Sequence, residues 1–189
     1  MNPNTKFKSW LRIAKNKYEF DATAFALSTC ENNVPSVRMV LLKKLLPDGL
    51  VFFTNLNSKK GQHFKKNKNL SMCFYWESLQ KQVRISGEGF IIKDEESDEY
   101  FSSRSRGSQI GAWASKQSNE IKKRDTLIKK FNYLTKKYDK KTVPRPSYWV
   151  GIKVKPNDFE FWQGGKHRLH KREFFYLKNK KWHKKLLSP

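Results

Sequence analysis

The chain has 189 residues, enough for one domain with a real core or two small ones. Its aromatic content of 14%, with 14 Phe, 7 Tyr and 6 Trp, excludes a disordered chain even though only 37% of residues are hydrophobic. The formal charge of +23 invites an anionic partner, but 31 of the 40 basic residues are lysines scattered in pairs, so the nine arginines carry more information.

A short basic amphipathic helix is predicted over 6–16. Strands rich in β-branched and aromatic residues follow over 22–30, 36–46 and 50–55, separated by ENN and PDG turns, which makes a meander. Ser58 opens a short helix reaching Asn67, and further strands follow over 70–76 and 82–93. From Asp94 the period changes. Acidic residues in a first turn and the apolar spacing of Ile121, Ile128, Phe131, Leu134 and Tyr138 predict two or three helices, closed off by Pro144 and Pro146. Strands resume over 148–154 and 159–163, and the tail reads as a hairpin turning at 178–180. With no repeat and no linker, the expectation is a single domain over 1–189 of mainly β class with inserted helices (α+β). It is an antiparallel β-barrel with an N-terminal arm over 1–21, a helical insertion over 94–140 and a C-terminal motif over 159–189.

That motif, FWQGGKHRLHKR at 161–172, reads as an aromatic run and a basic run folded against each other by a tight turn at Gly164 and Gly165, glycine accepting left-handed angles without strain. The even spacing of Arg168, His170 and Arg172 puts them on one strand face, near Trp162. A basic run is usually a solvated face. His167 and His170 have no Cys, Asp or Glu beside them, and Cys30 and Cys73 lack CxxC spacing, so no metal is expected.

Four other stretches carry candidate chemistry. In SVRMVLLKK, Arg38 and Lys43 are an odd number of positions apart and face opposite ways on a regular strand, which suits two anions better than one. In FFTNLNSKKGQ, Thr54 ends a strand and Ser58, Lys59 and Lys60 open a helix, the makings of a phosphate cradle. Tyr100, Arg104 and Ser108 stand at i, i+4 and i+8 and share one face if helical, with Gly107 a possible break. Gln117 and Ser118 precede a long helix, where Ser118 is also a candidate N-cap. The opening MNPNTKFKSWLRIAK lacks the apolar run of a signal peptide, nothing approaches the roughly 18 apolar residues of a membrane span, and the expectation is a cytoplasmic protein.

In order and spacing, RMVLLK at 38–43, FTNLNSKKG at 53–61, QVRISGE at 82–88, YFSSRSRGSQIGAWASKQS at 100–118 and FEFWQGGKHRLHKR at 159–172 resemble the pyridoxine (pyridoxamine) 5′-phosphate oxidases. The resemblance implies a split β-barrel binding FMN, and a homodimer with two flavin sites at its interface. It also implies oxidation of pyridoxine or pyridoxamine 5′-phosphate to pyridoxal 5′-phosphate, with O2 reduced to H2O2. FMN contacts implied by motif position are Arg38, Met39, Val40, Leu41, Leu42, Lys43, Phe53 and Thr54, then Lys59, Lys60, Gln82, Gln117, Ser118, Trp162 and Arg172. Substrate contacts implied are Lys43, Tyr100, Arg104 and Ser108, with Arg168 and His170 in the catalytic role. Lys59 stands where the family commonly has arginine and Phe53 replaces a frequent tyrosine, while Lys171 interrupts the usual acidic position. Two alternatives stay open. One is the phenazine-biosynthesis branch, which shares fold and FMN motifs without needing a substrate phosphate clamp, and the other is a basic nucleic-acid-binding barrel.

Overall fold

The structure, a computed structural model, describes residues 2–189. Helix α1 (Pro3–Lys17) begins where the Asn2 side chain accepts the Asn4 N–H at 2.9 Å, with proline at a position that needs no N–H. This cap makes the helix longer than the 6–16 expected. Phe7, Leu11 and Ala14 recur at helical spacing and are buried against the sheet. Lys6 is ion-paired with Glu173 and lies 4.7 Å from the Phe161 ring centroid.

Strands β1 (Ala24–Glu31) and β2 (Val34–Leu41) form a hairpin. Its turn residues Asn32 and Asn33 take φ of 50° and 63°, a left-handed geometry asparagine tolerates. The strand expected over 36–46 is broken: Leu42 buries its side chain in the core and donates its N–H to Thr23 O, and Lys43 N–H goes to Val51 O. The chain then continues as β3 (Lys44–Leu46), paired with β4 (Gly49–Asn55). Helix α2 (Lys59–Lys66) is N-capped by Ser58, as its residue type predicts. Strands β5 (Asn69–Trp76) and β6 (Lys81–Ile91) lead to three helices, α3 (Asp94–Ser102), α4 (Arg106–Ala114) and α5 (Arg124–Lys137).

Where two strands were expected over 148–163, one long strand runs, β7 (Trp149–Gln163). Pro156 does not end it because a bulge opposite Ser86 and Gly87 absorbs an extra residue. A hairpin of β8 (Lys171–Lys178) and β9 (Lys181–Leu187) completes the chain, with Asn179 and Lys180 left-handed in its turn.

The main sheet path is β2-β1-β5-β6-β7-β4-β3, and β8 pairs with both β7 and β9. Strand β7 is the fork: β6 covers one edge along nearly its whole length, whereas the other edge pairs first with β4 and then, past Val154, with β8. Strands β2 and β3 end the path with no ladder between them among the described residues, so the barrel is split and not closed. The main core packs Phe7, Leu11 and Ala14 of α1 against apolar side chains of the sheet. A second core, with Phe101, Ile110, Leu134 and Trp149, sits under α3–α5. Among the described residues no helix is long and apolar enough to cross a membrane.

Candidate functional site

A cleft of about 510 Å³ lies on the seam between the sheet and the helical insertion, within the range of small-ligand sites. Its walls are Met39, Val40 and Leu41 of β2, Phe53, Thr54 and Asn55 of β4, Lys60 of α2, and Tyr100, Arg104, Ser108 and Trp149.

One end is a cationic cradle. Lys60, at the start of α2, donates to Gln117 Oε1 at 2.8 Å and to Ser58 Oγ at 3.2 Å. Burial, and then the nearby charge of Arg38, lower the Lys60 pKa from 10.5 to about 8. Two cations are thus held together where burial opposes charge. That is the electrostatic signature of a place for an anion, and the helix N-terminus adds its own attraction.

The other end is a second clamp. Tyr100, Arg104 and Ser108 all line the cleft, but not as one helical face: α3 ends at Ser102 and α4 begins at Arg106. The break falls before Gly107, which lies within α4. The Gln109 side-chain amide holds the turn, donating to the carbonyls of Phe101, Ser102 and Arg104 at 3.1, 3.0 and 3.2 Å, acceptors at and just past a helix end. Arg104 lies against aromatic faces, 4.8 Å from the Trp149 ring centroid and 5.6 Å from that of Phe101. Its buried Nη1 has no hydrogen-bond partner. Phe53 stacks on Tyr100 at 4.0 Å and on Trp149 at 5.0 Å, linking the clamp to β4. Among the described residues none of Arg38, Lys43, Lys60 and Arg104 is ion-paired with a carboxylate.

The C-terminal motif lies outside this cleft. Gln82, Trp162 and Arg172 form a cross-strand row on β6, β7 and β8. Arg172 donates from Nε to Glu160 at 2.9 Å and from Nη1 to Ser188 O at 2.7 Å. Arg168 and His170 are not on a strand face with Arg172: Arg168 ends a one-turn 3-10 helix (Lys166–Arg168), and β8 starts only at Lys171. Nor is the turn left-handed at its glycines. No glycine has positive φ, whereas His167 and Arg168 take 53° and 62°, a strain of about 1 kcal/mol or more each. The glycines are needed for close approach instead: a Cβ on Gly164 would lie 2.9 Å from Gln80 Cβ, and one on Gly165 would collide with the Leu169 carbonyl oxygen. His170 packs against Trp162 with ring centroids 4.7 Å apart, and its Nδ1 accepts the Gly165 N–H at 3.2 Å.

Residues 14–138 match the family model described as pyridoxamine 5′-phosphate oxidase. The chain belongs to the pyridoxamine 5′-phosphate oxidase family. Residues 149–189 match a second model, the pyridoxine 5′-phosphate oxidase C-terminal dimerisation region. The pyridoxine/pyridoxamine 5′-phosphate oxidase of Zymomonas mobilis is 44% identical over 189 residues, covering 100% of this chain and 98% of that protein. The oxidase of the same name from Pelagibacter ubique is 47% identical, covering 100% of this chain and 92% of its own. Among solved structures, PhzG from Burkholderia lata in complex with tetrahydrophenazine-1-carboxylic acid superposes with a TM-score of 0.94 at 28% identity, covering 100% of this chain and 93% of that one.

Of the positions marked by resemblance to the oxidases, the cleft gathers Met39, Val40, Leu41, Lys43, Phe53, Thr54, Lys60, Tyr100, Arg104, Ser108 and Gln117. Leu42 packs in the main core instead. Lys59 is exposed, and Ser118 is not a helix cap: α5 is capped at Lys123, and Ser118 sits in a turn at φ 69°. Arg38 and Lys43 do part company, Lys43 lining the cleft and Arg38 standing behind Lys60, although a strand break and not strand alternation separates them. Trp149 lines the cleft without having been singled out. An aromatic at the head of an apolar strand looks like core, and at 8% exposure it is also that.

Proposed function

We propose that this chain is an FMN-dependent oxidase converting pyridoxamine 5′-phosphate and pyridoxine 5′-phosphate to pyridoxal 5′-phosphate. The observation that carries it is two sets of cations with no carboxylate partner at one cleft, Lys60 backed by Arg38 and, on the lining apart from them, Lys43 with Arg104, one set for each of two phosphates. FMN fits the first: a phosphate monoester is largely dianionic at neutral pH, and it offers Lys60 the counter-charge that the protein lacks there. Thr54 Oγ1, buried and unpartnered on the same wall, is a further polar group available to the cofactor.

Bound there, FMN would supply the redox chemistry, as acceptor of a hydride from substrate C4′ and as the route to O2, which is reduced to H2O2. The protein's task is binding and orientation. Lys43, Tyr100, Arg104 and Ser108 hold the substrate phosphate, with Arg104 kept available because aromatic rings, not a carboxylate, support it. Gln82, Trp162 and Arg172 contact FMN, and Arg168 and His170 contact the substrate, from a second copy of the chain. In support, these residues lie away from the cleft in their own chain, and all but Gln82 fall in the region matching the dimerisation model. His170, tied at Nδ1 by Gly165, holds its proton at Nε2 and meets the substrate as a hydrogen-bond donor. A homodimer in the cytoplasm, with FMN at its interface, is the working assembly.

The fold likeness to PhzG favours a second possibility, a tricyclic acid as substrate. Such an acid leaves the Lys43–Tyr100–Arg104–Ser108 clamp without a phosphate to hold. The deciding experiment supplies the yellow protein with pyridoxamine 5′-phosphate and O2 and measures pyridoxal 5′-phosphate and peroxide in equal amounts. Equal turnover of unphosphorylated pyridoxine would contradict the clamp. Site sharing is tested by mixing Arg104→Ala and Arg168→Ala protomers and assaying at substrate well below the raised KM of Arg104→Ala, where each variant alone turns over slowly. Random exchange in a dimer restores about a quarter of the sites, and no recovery on verified exchange means that each chain builds its site alone.

A further inference from the structure

Beneath the phosphate cradle lies a buried polar chain that no cleft residue includes. His63, on the same helix as Lys60, is 5% exposed. Its Nδ1 is 3.2 Å from Thr29 Oγ1, and its Nε2 is 3.5 Å from Glu31 Oε2. Thr29, 2% exposed, is also the target of Arg38, whose Nη1 lies 2.8 Å from the same hydroxyl oxygen. Arg38 further donates from Nη1 to Leu27 O at 3.1 Å and from Nη2 to Ser36 Oγ at 2.8 Å.

We propose that His63 is a positioning residue that holds the Arg38 guanidinium at the FMN phosphate cradle through the Thr29 hydroxyl. The hydrogens decide the direction. A guanidinium only donates, so the Thr29 oxygen accepts from Arg38, and its single hydrogen is left for His63 Nδ1. In that arrangement Nδ1 carries the lone pair, and the ring proton sits on Nε2, facing Glu31. Glu31 is in turn ion-paired with Lys66 one helical turn further along α2. The two hydrogen bonds then share one sense, Arg38 to Thr29 to His63, with Nε2 turned toward the Glu31 carboxylate. Remove the acceptor at Nδ1, and the Thr29 hydrogen is free to point at the guanidinium, donor against donor. With the relay intact, three of the five N–H groups of Arg38 are fixed on protein oxygens, leaving two for a ligand beside Lys60.

The inference rests on Arg38 and Lys60 taking the FMN phosphate, and one set of titrations separates the two. Apoprotein variants are titrated with FMN, and the dissociation constant is read from quenching of flavin fluorescence. His63→Leu and the near-isosteric Thr29→Val each weaken FMN binding about tenfold, the size of one lost hydrogen bond near a charge. His63→Asn, which places an amide oxygen near the position of Nδ1, returns affinity to within about twofold of wild type. In an Arg38→Ala background neither His63→Leu nor Thr29→Val has any further effect, because the relay has nothing left to position. A His63→Leu protein that melts earlier yet binds FMN like wild type, an unaltered Thr29→Val, or a full penalty persisting without Arg38 overturns the proposal. An Arg38→Ala protein with wild-type affinity instead overturns the phosphate assignment on which it stands.

Discussion

Lys60 offers a direct measurement of the phosphate cradle, because its charge is held at a cost. Its pKa of about 8, against an ordinary 10.5, means that between those values the folded apoprotein binds fewer protons at this group than the unfolded chain does. Apoprotein stability from this group therefore rises with pH across that window, by about 2–3 kcal/mol in all once partial exposure is discounted. A bound phosphate reverses the preference by favouring the ammonium, so FMN binding takes up a proton in the same window and weakens as pH rises. With the pKa returned to its ordinary value in the complex, raising the pH from 7 to 9 raises the FMN dissociation constant about tenfold, with nearly one proton taken up per flavin at pH 9. Fluorescence titration of apoprotein gives the first quantity, and calorimetry in two buffers of different ionisation enthalpy gives the second. Lys60→Arg keeps the charge, and its affinity is flat over this range. A wild-type affinity independent of pH from 7 to 9, or a Lys60→Arg variant with the same slope, would show that Lys60 does not meet the phosphate.

Burial would raise the Glu173 pKa, but hydrogen bonds from Lys184 and Lys6 outweigh it and bring the value from 4.5 down to about 2. The resulting stability, about 2–3 kcal/mol with allowance for solvent at Lys184, is present above pH 4.5 and lost as pH falls toward 2. Denaturant melts of wild type and Glu173→Gln should accordingly converge over that interval. Arg104→Ala raises KM for pyridoxamine 5′-phosphate on the order of 10- to 100-fold while flavin content stays at wild type, and steady-state kinetics with absorbance of the purified protein check both. Arg168→Ala and His170→Ala purify yellow, but anaerobic flavin bleaching by pyridoxamine 5′-phosphate slows on the order of 100-fold; bleaching at the wild-type rate at saturating substrate removes both from the reaction. Gly165→Ala forces its new methyl against Leu169 and displaces His170, so the same bleaching assay shows a slowed step with unchanged flavin content.

Some features are set by a residue and its immediate neighbours, and these are legible in the sequence. Ser58 caps α2 because a hydroxyl there meets a free N–H, and Asn32–Asn33 turns the first hairpin because asparagine accepts positive φ. Features fixed by distant partners were misread. The Tyr100–Arg104–Ser108 clamp depends on Gln109 closing a turn between two helices, which periodicity cannot show. The continuity of β7 depends on a bulge against β6, and the strain near the C-terminus falls on His167 and Arg168 because the neighbouring glycines are spent on close packing. Motif resemblance marks these residues without regard to place, and the fold shows that a single chain distributes them between two separate places. The His63–Thr29–Arg38 relay joins a helix to two strands and leaves no trace in spacing.

Strand β7 has Trp149 at one end, on the cleft, and Trp162 near the other, in the cross-strand row. At about 3.3 Å per residue, the strand separates the two by at most roughly 40 Å. It is one continuous backbone hydrogen-bonded on both edges for most of its length, so it acts as a ruler. In the proposed symmetric pair of chains, two such rulers would set the spacing between the two cleft sites. The regular register of β7 is interrupted against β6 at the Pro156 bulge, which resets the count along the ruler by one residue.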